Sequence, residues 1–95
     1  MKLDKNDKVN RAEKILGHKL SVAFNNAQSD REKLAAIYVF GVKWAKEFEQ
    51  HSVDTQLLLQ YSKIGAHHYS DLQMGILLSK YLVDKDKIKK LLSFF

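Results

Sequence analysis

Apolar residues recur at three- and four-residue steps through most of the chain. Val9, Ala12, Leu16, Leu20 and Ala23, with Ile15 and Phe24 beside them, form the first such stripe. This is the periodicity of a helix buried along one side. Arg11, Lys14, His18, Ser21 and Asn25 form a polar stripe away from it. The pattern predicts a first helix over about 5–26, entered after Asp4 or Asn6 and left through Asn25-Asn26-Ala27-Gln28. Ser29-Asp30-Arg31-Glu32 is a capping box, in which serine and glutamate satisfy each other's free backbone amides. It predicts a second helix over about 30–50. There Leu34, Ile37, Tyr38, Gly41, Ala45 and Phe48 make the main core face, widened by Phe40 and Trp44 on one flank and Val42 on the other. Val39 points elsewhere, toward the side of Lys43 and Lys46. Across Leu34–Val42 only Tyr38 carries a hydrogen-bonding side chain. A helix that apolar must be enclosed, by the rest of the fold or by a second chain. Ile, Tyr, Val and Phe also favour sheets, so a strand over 36–42 is the rival reading. Capping and length favour the helix.

Ser52 is placed to cap a third helix over about 53–64, with Asp54 in its first turn and Leu57, Leu58, Tyr61 and Ile64 on its apolar face. Leu59 falls off that face. Gly65 suits a helix end, because glycine accepts the left-handed conformation. Ser70-Asp71-Leu72-Gln73 repeats the capping pattern and predicts a fourth helix over about 71–82. A single helix over 53–82 is the alternative, but its length of about 45 Å would overhang its neighbours. The fourth helix is again apolar on most sides. Asp84 is placed to cap a last helix over about 85–94, where Ile88, Leu91, Leu92 and Phe95 form an amphipathic stripe among lysines. The expected fold is all-α: one domain over 1–95, a compact antiparallel bundle of four to five helices.

Composition agrees with this. The 95 residues are 45% hydrophobic, with no proline and four glycines, which suits helices better than small sheets. The absence of cysteine excludes disulfides, thiolate metal sites and cysteine nucleophiles, and fits a cytoplasmic protein. Met1 to Asn10 is charged and lacks the apolar segment of a secretory signal. The apolar run between Lys33 and Lys43 is too short to span a bilayer.

The net charge of +5 is unevenly placed. Residues 1–28 carry +3, residues 84–95 carry +2, and the middle of the chain is neutral. If the terminal helices lie side by side, Arg11, Lys14 and Lys19 join Lys87, Lys89 and Lys90 in one basic face suited to nucleic acid. Lysine outnumbers arginine fourteen to two, which counts against this reading, because arginine is the commoner reader of bases and phosphate forks. A helix-turn-helix over 53–82 would need a tighter connection than Gly65 to Tyr69 offers.

The remaining chemistry is thin. His67 and His68 diverge on a helix, and no other histidine lies four residues away, so no metal site is expected. Asp71, four residues after His67, could orient it. Glu47 beside Lys43 reads as an exposed pair, and Asp84 and Asp86 read as capping residues. We find no catalytic grouping, cofactor motif or small-molecule site, and expect no enzyme. Tyr69-Ser70-Asp71-Leu72-Gln73 followed by Ile76, Leu77 and Leu78, in a small basic chain without cysteine, resembles the start of the fourth helix of the small immunity proteins that protect bacteria from class II bacteriocins. The resemblance covers about ten residues. It implies a helical bundle that could act at a membrane surface through its C-terminal amphipathic helix.

The leading expectation is a non-enzymatic binding protein with a protein partner, in a regulatory, inhibitory or accessory role. Its candidate interface is Val39, Leu59, Leu91, Leu92, Phe94 and Phe95. A homodimer is slightly favoured, because two helices are apolar over more than half their circumference and C2 pairing is the commonest form. Electrostatic nucleic-acid binding through the terminal helices is the alternative, and a membrane-surface role the next.

Overall fold

The computed structural model describes residues 10–82 and 85–93, without the side chains of Lys85, Lys87, Ile88 and Leu91. These residues form α1 (Arg11–Asn26), α2 (Asp30–Gln50), α3 (Thr55–Ser62), a 3-10 turn (Ala66–His68), α4 (Tyr69–Leu82) and α5 (Lys85–Leu92). The fold is an all-α helical bundle, with no strand among the described residues. The expected helix start near residue 5, Val9 in the first stripe, the Asp84 cap, and Phe94 and Phe95 lie outside the described residues.

The second helix starts and stops where the sequence indicated. Ser29 Oγ accepts from the Glu32 amide at 3.3 Å. The return contact is displaced by one residue: Glu32 Oε1 accepts from the Gln28 amide at 2.9 Å rather than from Ser29. The third helix is shorter than expected. Its cap is Asp54, not Ser52, with the Asp54 carboxylate accepting from the Gln56 and Leu57 amides. The helix stops at Lys63, which takes the left-handed conformation at φ 62° and donates its amide to the Leu59 carbonyl. The break before α4 is present, although glycine does not end α3; Gly65 follows at φ 113°. The expected Ser70 cap is absent. Residues 66–68 wind as a 3-10 turn that runs directly into α4 at Tyr69, so Ser70 already lies in the first helical turn.

Packing follows alternate helices. The most extensive contact is α2 on α4, followed by α1 on α3; α1 also packs on α2, and α5 packs on α4. Gly17, Gly41 and Gly75 explain the two main contacts. A methyl group at Gly41 would sit 2.8 Å from both the Ile76 amide nitrogen and the Leu72 carbonyl oxygen. One at Gly75 would strike the Tyr38 carbonyl, and one at Gly17 would lie 2.7 Å from the Leu58 carbonyl. At each crossing, backbone meets backbone. Glu13 meets Asp54 and Gly17 meets Leu58, four residues further along both helices, so α1 and α3 run in the same direction.

Leu16, Leu20, Ile37, Phe40, Phe48, Leu58, Leu59 and Leu72 form the core. Leu59 is a correction: it was expected off the apolar face and is 3% exposed. A short helix covered by α1 on one side and by the 3-10 turn and α4 on another buries adjacent leucines. It therefore offers no outward surface. Leu34, expected in the main core face, is instead partly exposed, and Phe40, expected on the flank, is buried. The Phe40 ring packs against both Trp44 and Phe48 on α2, each with its ring centroid 6.2 Å away. One buried carboxylate joins two elements: Glu13, 7% exposed on α1, accepts from the Asp54 amide at 2.9 Å.

Candidate functional site

Among the described residues, the apolar helix that dominates the sequence is enclosed on two sides. With α1 on one flank and α4 on the other, α2 keeps an exposed stripe through Ala35, Val39, Lys43 and Lys46. Val39 is 62% exposed, as its position off the core face required. The stripe is apolar toward the helix start and basic toward its end.

Grooves flank it on both sides. The α1/α2 groove, of about 450 Å³, is lined by apolar side chains, Trp44 among them, and by Lys19 and Lys43. The groove on the α4 side, about 590 Å³, takes Lys43, Lys46 and Lys80 together with Glu49. Lys43 lines both. Lys19, Lys43, Lys46 and Lys80, from three helices, therefore form one basic band across the molecule. At its centre two cations lie over the Trp44 ring, with Lys19 Nζ at 5.6 Å and Lys43 Nζ at 5.4 Å from its centroid. Such cation–π contacts place the ammonium groups without neutralising them.

This band differs from the basic face expected from the sequence. Lys14 and Lys19 are five residues apart, a separation of about 140° on a helix. Lys14 accordingly lies over Tyr61 of α3, at 5.8 Å, while Lys19 turns toward α2. Arg11 is exposed at the start of α1, and Lys89 and Lys90 are exposed on α5. Among the described residues α5 packs on α4 and makes no extensive contact with α1, so these stretches of the terminal helices do not lie side by side; the Lys87 side chain lies outside the described residues. Lys43, Lys46 and Lys80 were missed because they sit in segments that are neutral overall. The local signal was Lys43 and Lys46 at helical spacing with no carboxylate between them.

Of the candidate interface residues, Val39 and Leu92 are exposed, and Leu59 belongs to the core. The expected His67–Asp71 pair is replaced by His68 and Asp71, with Nδ1 and Oδ2 3.0 Å apart. The 3-10 winding of residues 66–68 brings position i+3, not i+4, into register. His67 stacks on His68 at 4.1 Å, and Phe24 meets His68 edge-on at 5.4 Å. This cluster ties the turn before α4 to the end of α1. Among the described residues no group of three or more His, Asp or Glu side chains is arranged to hold a metal ion. No helix among them is long and apolar enough to cross a membrane.

A family model for an HTH-like domain matches residues 12–85, from the first turn of α1 to the start of α5. The chain therefore belongs to the HTH-like domain family. No curated protein and no solved structure matches it. Within the matched region α1 and α2 are joined through residues 27–29, whereas α3 and α4 are separated by residues 63–68.

Proposed function

We propose that this chain is a cytoplasmic, non-enzymatic nucleic-acid-binding domain that holds the phosphate backbone on the lysine band of α1, α2 and α4. One observation carries the reading: Lys19, Lys43, Lys46 and Lys80 line two adjoining grooves around a shared exposed stripe. Family membership gives independent support, since helix-turn-helix domains present helices to DNA. Lysines act as point charges on flexible stems, so the contacts suit phosphate oxygens and carry little sequence information. α4 fits a base-reading role poorly, because Met74 and Leu77 are exposed on it and Lys80 is its only basic residue.

The test is binding of a fluorescent 20-base-pair duplex at low salt. Lys43→Glu combined with Lys46→Glu should weaken it by about tenfold or more, because two phosphate contacts are replaced by repulsion. Lys63→Glu, outside the band, should change it little. No binding, or binding indifferent to the Lys43/Lys46 pair, overturns the reading.

A further inference from the structure

We infer that the α1/α2 groove is a docking site for an acidic amphipathic helix of a partner protein. Ala23, Ala35 and Ala36 give the groove small side chains between two helices. A third helix approaches closely where side chains are small, and its apolar anchors then reach the exposed Val39 and the Phe40 and Trp44 rings. Lys19 and Lys43 stand at the basic end of this groove, and no carboxylate is among the described residues lining it.

That charge selects the occupant. A second copy would add its own Lys19 and Lys43 to the same interface and bring no carboxylate from this groove, in a chain already carrying +5. A nucleic-acid backbone would satisfy the lysines and leave Ala35, Ala36 and Val39 facing phosphate. A helix with apolar residues at i, i+3/i+4 and i+7 and glutamates or aspartates beside them satisfies both ends. Because Lys19 and Lys43 also belong to the band, such a helix would compete with nucleic acid there. The peptide-binding inference itself does not require that nucleic acid binds.

Trp44 reports on the groove directly, because it is the only tryptophan in the chain. The probe is a displayed library of 16-residue helical peptides, selected on the full chain and counter-selected on Val39→Asp. We expect enriched peptides with apolar residues at helical spacing and net negative charge. Synthesised, the best of them should give a saturable change in Trp44 emission. Lys19→Glu with Lys43→Glu should weaken that binding tenfold or more, and Lys46→Glu with Lys80→Glu, outside the groove, should leave it within twofold. Circular dichroism confirms that the variants are folded.

Failure to enrich peptides over the Val39→Asp chain overturns the inference, as does enrichment of neutral or basic ones. A Trp44 response to duplex DNA without one to any peptide assigns the groove to nucleic acid instead. Concentration-dependent dimerisation abolished by Val39→Asp assigns it to a second copy. The nucleic-acid reading is tested separately by the Lys46/Lys80 variant, which should weaken duplex binding tenfold or more and keep the peptide.

Discussion

Substituting Gly41 by alanine tests the backbone contact between α2 and α4. In an isolated helix the change is favourable, since alanine exceeds glycine in helix propensity by about 1 kcal/mol. Here the added methyl would sit 2.8 Å from two backbone atoms of α4, against 3.4 Å or more for ordinary contact. Backbone cannot turn aside as a side chain can, so α2 and α4 must separate by roughly 0.6 Å. A radial gap of about 0.5–1 Å forfeits a quarter to a half of each dispersion contact. Overpacking a well-packed site typically costs about 1–3 kcal/mol, enough to reverse the propensity gain. Net of the propensity gain, we expect Gly41→Ala to destabilise the fold by about 1 kcal/mol, which for a domain of this size lowers Tm by roughly 4–8 °C. Gly75→Ala should cost as much or more, because its methyl strikes the Tyr38 carbonyl. The double variant should cost less than the sum, since one separation accommodates both methyl groups. Urea and thermal denaturation followed by circular dichroism measure all three. A Gly41→Ala chain as stable as the parent, or more stable, would refute the backbone contact between α2 and α4.

Substitutions at two further positions probe the ends of α3. Glu13→Ala should cost about 2 kcal/mol, because it leaves the Asp54 amide without its carboxylate acceptor, whereas Glu13→Gln keeps an acceptor and should cost about half that; equal losses in urea denaturation would remove the hydrogen bond from the explanation. Lys63→Gly should stabilise the fold by about 0.5–1 kcal/mol, since a side chain in the left-handed region costs about 1–2 kcal/mol and glycine returns part of that gain as unfolded-chain entropy. A lower Tm for that variant would contradict the assigned conformation.

Local signals made some of this legible. The second helix was readable to its last residue, because Ser29 and Glu32 mark its start and the apolar periodicity continues to Phe48. The start of α4 was misread, because Ser70-Asp71-Leu72-Gln73 satisfies the capping pattern while the 3-10 turn starts the helix earlier. Leu59 was misread because an apolar-face argument assumes one covered side, and α3 has more than one. Gly17, Gly41 and Gly75 carried an unused signal: glycine inside a helix is costly, and close helix approach repays it. Val39 was readable as exposed from its place on α2. The lysine band was not readable, because its members are spread from residue 19 to residue 80 and converge only after α1, α2 and α4 pack.

The salt dependence of duplex binding tests the central claim most directly. Four lysines on phosphates should give a slope of log K against log salt near −3.6, at about −0.9 per contact, and replacing Lys43 and Lys46 by alanine should bring it to roughly −1.8. Binding that does not respond to salt, or a slope unchanged in the variant, would contradict the assignment of the band as the nucleic-acid surface.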